Sequence, residues 1–210
     1  TSCSILSNGF ITFGTTTTDD ALGYKPISIG SVGFEGAISA LGMNIRNNGL
    51  AITYTKTGTA PHRTFIVQWA KVRRDSEADG NYNFQIRLSE TSNVVSISYG
   101  SCDPSGSGNG SNVNVQVGLR GSNNNDYNNR SLSSNNTWAG NTSAGTANNA
   151  TVRTRNSAYP NTNLLYSWTP TGPCTVPTAQ PSALSLNGIT ANSINGSFNA
   201  ASPAPDNYLV

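Results

Sequence analysis

A single histidine, His62, stands in the segment GTAPHRTF, and three cysteines, Cys3, Cys102 and Cys174, are spread along the chain. Nucleophilic catalysis needs a base beside the nucleophile, yet there is no G-x-S-x-G elbow and no cysteine with a histidine near it in sequence. His62 is therefore expected to be a solvent-facing turn residue beside Arg63, at the entrance to a strand. The cysteines lack the CxxC pairs and histidines of a zinc site. They permit three disulfide pairings, each leaving one odd thiol, or three unpaired thiols, and their spacing chooses none of these. Hydrolysis by paired carboxylates is the remaining catalytic route, with Asp19, Asp20, Glu35, Glu90 and the group Asp75, Glu77 and Asp79 as candidates. Such a pair must face itself across a cleft, and positions on loops do not establish that. The last group has a second chemistry. DSEADG, residues 75–80, sets oxygen ligands at positions 1, 3 and 5 and Gly at 6, as an EF-hand loop does. Position 12 is Ile86 where that loop has Glu, so the segment reads first as a polar hairpin tip beside Arg73 and Arg74. Its second reading is a weak calcium site on Asp75, Glu77 and Asp79, and no other cofactor is expected.

The elements that carry these residues are strands. In TFIVQW, residues 64–69, Phe65, Val67 and Trp69 share one face and Thr64, Ile66 and Gln68 the other. NFQIRLS, residues 83–89, splits in the same way, with Phe84, Ile86 and Leu88 inward. Val95, Ile97 and Tyr99 alternate with Ser96 and Ser98. In NVNVQVGLR, residues 112–120, Val113, Val115, Val117 and Leu119 alternate with Asn112, Asn114, Gln116, Gly118 and Arg120. No window of similar length has helical spacing. Short alternating strands between Gly, Asn and Asp turns predict an all-β fold, an antiparallel β-sandwich of jelly-roll or lectin-like type with one wet face on each sheet. If the strands bearing Gln68, Gln85, Arg87, Asn114 and Gln116 are neighbours, their outward amides and guanidinium form a flat array that can exchange hydrogen bonds with sugar hydroxyls. Loop aromatics, Tyr127, Trp138 and Tyr159, are the candidates to stack on sugar faces. The competing reading is that these residues are polar because water is there.

Composition excludes other classes. Of the 210 residues only 10% are charged, against ~25% in an ordinary soluble domain, and Asn, Ser, Thr and Gly take their place. The net charge of +2 comes from 12 basic and 10 acidic side chains without a basic run, so no nucleic-acid or anionic-membrane partner is expected. No stretch approaches the ~18 apolar residues of a membrane helix, and the first residues do not read as a signal peptide. An export signal, if there is one, is expected outside this chain.

Two segments interrupt the strand pattern. Residues 122–149 are crowded with Asn, Ser, Thr and Gly and are expected to be surface loops with one short strand, anchored by Tyr127, Leu132 and Trp138. Residues 169–181, TPTGPCTVPTAQP, are Pro-rich and mark a domain boundary. The domains expected are a β-sandwich over 1–170, a linker over 171–181 and a second domain beginning at 182. The opening segment SILSNGFITFG, residues 4–14, reads as two short strands about a Ser-Asn-Gly kink.

The segments SNGFITFG, GAISALGMNI, ITYTKTGTAPHRTFIVQW, YNFQIRLSETSNVVSISYG, VQVGLRG and LLYSWTP, in that order, resemble a β-sandwich module of large secreted surface proteins from bacteria that use type IX secretion. Residues 182–210 resemble the opening of a fibronectin type III (immunoglobulin-like) domain, with Leu184, Leu186, Ile194, Tyr208 and Val210 in its apolar frame and Phe198 where the pattern usually has Trp. The resemblance implies further strands before SNGFITFG and a type III domain longer than the part present here. It also implies that the sequons at Asn109, Asn129, Asn135, Asn141, Asn149 and Asn195 mark exposed loops and are not glycosylated. The function expected is that of a non-catalytic, exported module on the cell surface or outside the cell, serving adhesion or spacing. Its expected partners are neighbouring domains of the same protein and a glycan or surface protein. The alternatives are a carbohydrate-binding module attached to a secreted hydrolase and a filament subunit completed by a neighbour's strand.

Overall fold

The computed structural model describes residues 2–15, 24–75, 80–103, 113–154, 157–170, 182–187, 190 and 195–199. The chain divides into two units, Thr1–Thr169 and Pro170–Val210. The strands are β1 (Ser4–Leu6), β2 (Phe10–Thr12), β3 (Ile38–Gly42), β4 (Ile45–Asn47), β5 (Thr53–Thr57), β6 (Thr64–Arg74), β7 (Tyr82–Ser89), β8 (Val95–Tyr99), β9 (Val113–Arg120), β10 (Tyr127–Ser131), β11 (Ser143–Ala144), β12 (Val152–Thr154), β13 (Leu165–Trp168), β14 (Ser182–Asn187) and β15 (Asn195–Asn199). The first unit is all-β: two antiparallel sheets pack as a sandwich that does not close into a barrel. One sheet runs β1-β2-β3-β9-β10-β11, with β12 also on β9; the other runs β13-β8-β7-β6-β4, with β5 also on β6. Among the described residues no helix is long and apolar enough to cross a membrane.

The second sheet follows from its alternation. Val67, Trp69, Phe84, Ile86, Ile97 and Tyr99 are buried, while Gln68, Gln85, Arg87, Ser96 and Ser98 stand on the opposite face and are only half-buried. The three strands form a consecutive meander, with Val67 opposite Ile86 and Ile86 opposite Ile97. Inside, Trp69 stacks on Phe84 at 5.1 Å, and the Trp138 ring meets Tyr99 edge-on at 5.3 Å. Two polar tips on these rings cross to the first sheet: Trp69 Nε1 donates to Leu6 O at 3.3 Å and the Tyr99 hydroxyl to Ala40 O at 2.6 Å. Each satisfies a ring donor that would otherwise be buried without a partner.

Strand β9 departs from the expected pattern. Its inward valines Val115 and Val117 are fully buried, but so is Gln116, and Arg120 is only 5% exposed. The outer face of this sheet is covered by residues 24–36, which form a strap. Arg120 Nη1 donates to Pro26 O and Ile29 O, and Nη2 to Ser31 O. Beneath the strap Phe34 joins Phe10 and Leu6 in a second apolar cluster, with Ile29 against it. Gly118, at φ +138, lies where β10 comes so close that a Cβ would stand 2.4 Å from Asn128 O. Only glycine accepts both the angle and the contact.

The opening segment forms the β1–β2 hairpin, and Gly9 supplies its kink at φ +83. Asn8 plays a different part: it is buried, and its Oδ1 accepts the Ile45 amide at 3.1 Å. The Asn-rich segment 122–149 holds two short strands, β10 and β11, instead of one. Leu132 and Trp138 are buried as anchors, whereas Tyr127 is half-buried and reaches only Thr146 O through its hydroxyl. Sequon residue Asn129 is buried in β10, donating to Ala147 O and Asn148 O, while Asn135, Asn141 and Asn149 are exposed. In the second unit β14 and β15 pair as an antiparallel hairpin with a register shift between Ser182 and Ser185. Leu186 is exposed there, and Ile194, Tyr208 and Val210 lie outside the described residues.

Candidate functional site

The outer face of the β6-β7-β8 meander carries a cleft of about 470 Å³, lined by Gln68, Asn83, Gln85, Arg87, Ser98 and Asn163 among others. The ladder register explains the grouping. Gln68, Gln85 and Ser98 stand opposite one another across β6, β7 and β8, and Arg87 lies one step along in the row of Ile66 and Ser96. An irregularity in β6 between Trp69 and Val72 shapes the end of the cleft, with Lys71 at φ +51. Such a bulge bends its strand and leaves backbone groups off the ladder. Side chains of the cleft take them up: Gln68 Nε2 donates to Trp69 O and Phe84 O, and Asn83 Oδ1 accepts the Lys71 amide.

The floor is a directional chain of hydrogen bonds. Arg87 Nε donates to Gln85 Oε1 at 2.8 Å, Gln85 Nε2 donates to Gln68 Oε1, and Gln68 Nε2 ends the chain on the two carbonyls. Each side-chain carbonyl oxygen in it already accepts a bond. What remains toward solvent are donors on Arg87 and Gln85, with the Ser98 hydroxyl and the Asn163 amide beside them.

Of the residues expected to bind carbohydrate, Gln68, Gln85 and Arg87 thus come together, and the others do not. Asn114 and Gln116 belong to β9 of the other sheet. Gln116 is buried under the strap, where Oε1 accepts the Ile27 and Ser28 amides and Nε2 donates to Ser28 Oγ and Asn148 O. Its capacity for hydrogen bonds is fully used within the fold, which corrects its placement on an outward array. Trp138 is fully buried and cannot stack on a ligand; its Nε1 donates to Arg153 O. Tyr127 is in the first sheet, and Tyr159 packs partly buried against the core. Asn163 and Ser98 are cleft residues that the candidate set lacked. The positive φ of Asn163 (+66) in a turn before β13 has no sequence signature beyond Asn in a loop.

The residues weighed for catalysis are spread apart and engaged. His62 is exposed in a turn, its amide donating to Thr59 O. Glu35 sits in the strap, where the Gly33 amide donates to its carboxylate and lowers its pKa. Asp75 pairs with Arg46 Nε at 2.8 Å, while Glu77, Asp79, Asp19 and Asp20 lie outside the described residues. Among the described residues no cluster of three His, Cys, Asp or Glu side chains could hold a metal. Cys3 and Cys102 are both free thiols, so no Cys3–Cys102 disulfide forms, and Cys174 lies outside the described residues. Burial pushes the Cys102 thiol up to about 11, and its Sγ lies 3.7 Å from Asn83 O.

Glu90 forms an ion pair with Arg63 at the opposite end of the meander. Arg63 Nε donates to its Oε2 at 2.8 Å and Nη2 to its Oε1, and the Arg63 amide adds a third bond at 3.0 Å. The side-chain bonds from Arg63 hold the Glu90 carboxyl at about 2, below the ordinary 4.5. The folded state therefore prefers the ionised form; that preference is fully present above the unfolded value and is lost as the pH falls through the folded one. Glu90→Gln is expected to flatten the fall of the thermal midpoint between about pH 5 and about pH 2. An unchanged slope would show that this pair has no part in acid sensitivity.

The geometry shows a largely polar cleft and no paired catalytic groups among the described residues. A family model described as NIDO related matches residues 1–170, the greater part of the chain. No curated protein and no solved structure matches it.

Proposed function

The chain belongs to the NIDO-related family, a family of non-enzymatic, extracellular, β-rich modules, and from that premise we propose that it is an adhesive module whose contact surface is the cleft over Gln68, Gln85 and Arg87. The observation that carries this reading is the cleft itself. Its volume of about 470 Å³ falls in the ~300–1,000 Å³ range of small-ligand sites. Its polar lining consists of amides, a hydroxyl and a guanidinium, groups matched to sugar hydroxyls, set beside Ala70, Gly100 and parts of Phe84 and Tyr99. The same surface serves a carbohydrate-binding module attached to a hydrolase, and the two readings share one ligand class. The resemblance to modules of type IX-secreted proteins supports a large bacterial surface or secreted protein as the parent. The β14–β15 hairpin supports reading the second unit as the start of a fibronectin type III domain. Strand addition is the second reading of the partner, favoured by β5: all five of its residues are exposed and, among the described residues, it pairs with β6 alone.

A glycan and polysaccharide screen on the 210-residue chain tests the proposal. Binding to a defined glycan class is expected, with at least a tenfold loss on Gln85→Ala, equivalent to about 1.4 kcal/mol. Silence across the panel from folded protein would overturn the glycan reading and leave a spacer, and self-association in sedimentation would turn attention to β5.

A further inference from the structure

The polarity of the cleft floor narrows the ligand. Resting on the glycan-binding reading above, we infer that the cleft takes an acidic saccharide, a sugar bearing a carboxylate, with the acid group held by the Arg87 guanidinium. Three observations converge on this class.

First, the charge is unbalanced. Among the described residues the two ion pairs are Arg46 with Asp75 and Arg63 with Glu90. Arg87 belongs to neither, and no carboxylate lines the cleft with it. Second, the hydrogen-bond chain leaves the floor around Arg87 richer in free donors than in free acceptors, because each glutamine oxygen has one of its two lone pairs taken. Gln68 Oε1 is taken by Gln85 and Gln85 Oε1 by Arg87 Nε. The Nη groups of Arg87 and the second Nε2 hydrogen of Gln85 remain, and these are donors only. A sugar hydroxyl both gives and takes a hydrogen bond, whereas a carboxylate only takes, and it fits the fork of a guanidinium with two parallel bonds. Holding Nε on Gln85 fixes the plane of that fork before any ligand arrives, which lowers the ordering cost of binding.

Third, the position on the sheet favours a saccharide over an acidic peptide. Extended peptides are gripped by main-chain bonds to a free sheet edge. Here β7 is paired with β6 on one side and β8 on the other, so the middle of this face has no free main-chain groups to offer. What surrounds Arg87 instead are Ser96 and Ser98, with Ile66 as an apolar surface for the C–H face of a ring.

The test is calorimetric titration of the full chain with oligogalacturonate, oligomannuronate and hyaluronate fragments. The methyl-esterified form of each, an acidic peptide and free acetate complete the panel. Binding to at least one uronate is expected, weakened by added salt, reduced tenfold or more by esterification and by Arg87→Gln, and only partly restored in Arg87→Lys, which keeps the charge and loses the fork. Equal binding of acid and ester would overturn the inference while leaving a glycan-binding cleft intact. Uronate binding that survives in both Arg87 variants would place the acid elsewhere and overturn it as well. Preference for the peptide, or silence toward every saccharide, would overturn it together with the reading on which it rests.

Discussion

Trp69→Ala is expected to cost about 3–5 kcal/mol of unfolding free energy, the range for emptying a large buried aromatic site. The indole is fully buried, stacks on Phe84 at 5.1 Å and donates to Leu6 O in the facing sheet. Its removal opens a void between the sheets and strips the Leu6 carbonyl of a donor. Trp69→Phe separates the two effects, because it keeps a ring against Phe84 and loses only the Nε1 bond along with some volume. A loss nearer 1–2 kcal/mol is expected there. Urea denaturation followed by circular dichroism gives both numbers. A Trp69→Ala loss below about 1 kcal/mol would mean that the sheets close over the void, and that the aromatic stack does not set the sandwich spacing.

The second large effect concerns the strap. Arg120→Met keeps the aliphatic stem but removes the donors that reach Pro26, Ile29 and Ser31. We expect a loss of about 2–4 kcal/mol, since hydrogen bonds from a charged group are worth more than neutral ones and these three hold one segment together. Burial alone lowers the Arg120 pKa, and the nearby Glu35 charge opposes that shift, so the guanidinium is desolvated for the sake of these carbonyls. Faster hydrogen exchange at the Ile27 and Ser28 amides, which Gln116 holds from below, is expected to accompany the loss. Arg120→Lys should recover little, because one ammonium cannot span three carbonyls in a fixed fork. Unchanged exchange in the strap would show that Gln116 and the Phe34 cluster hold it without Arg120.

These two residues mark where the sequence was legible and where it was not. Trp69 was readable as core because its strand alternates cleanly and its neighbours β7 and β8 follow in order. A meander needs no knowledge of distant pairing, so Gln68, Gln85 and Arg87 were legible as one outward set. Arg120 and Gln116 were read as outward for the same reason, and wrongly. Alternation assigns two faces to a strand, but it does not say whether a later or earlier segment covers the second one. The strap that covers β9 is 24–36, where Ile27 and Ile29 keep a strand period but Val32 and Phe34 fall out of phase with them. Gly118 in the middle of an otherwise regular strand signals close backbone approach, but the backbone it admits is that of β10 and not the strap. Trp138 reads both as an anchor of the Asn-rich stretch and as a loop aromatic for a sugar face; the anchor reading holds, because its ring meets Tyr99 within the core. The split of the amide array between two sheets follows from strand order, which local pattern does not encode.

Strand order can also be read as a sequence of events in time. The second sheet grows by pairing near neighbours along the chain, as Trp69 with Phe84 and Phe84 with Tyr99. The first sheet joins Ile38 to Leu119 across β4 to β8 of the other sheet. Closing that span costs chain entropy before any contact repays it. By that argument the local pairings of the meander and of the β1–β2 hairpin are expected to form before β3 meets β9. The cleft is thus carried by pairings of short sequence separation, while the sheet that closes the core against it depends on the long-range pairing of β3 with β9.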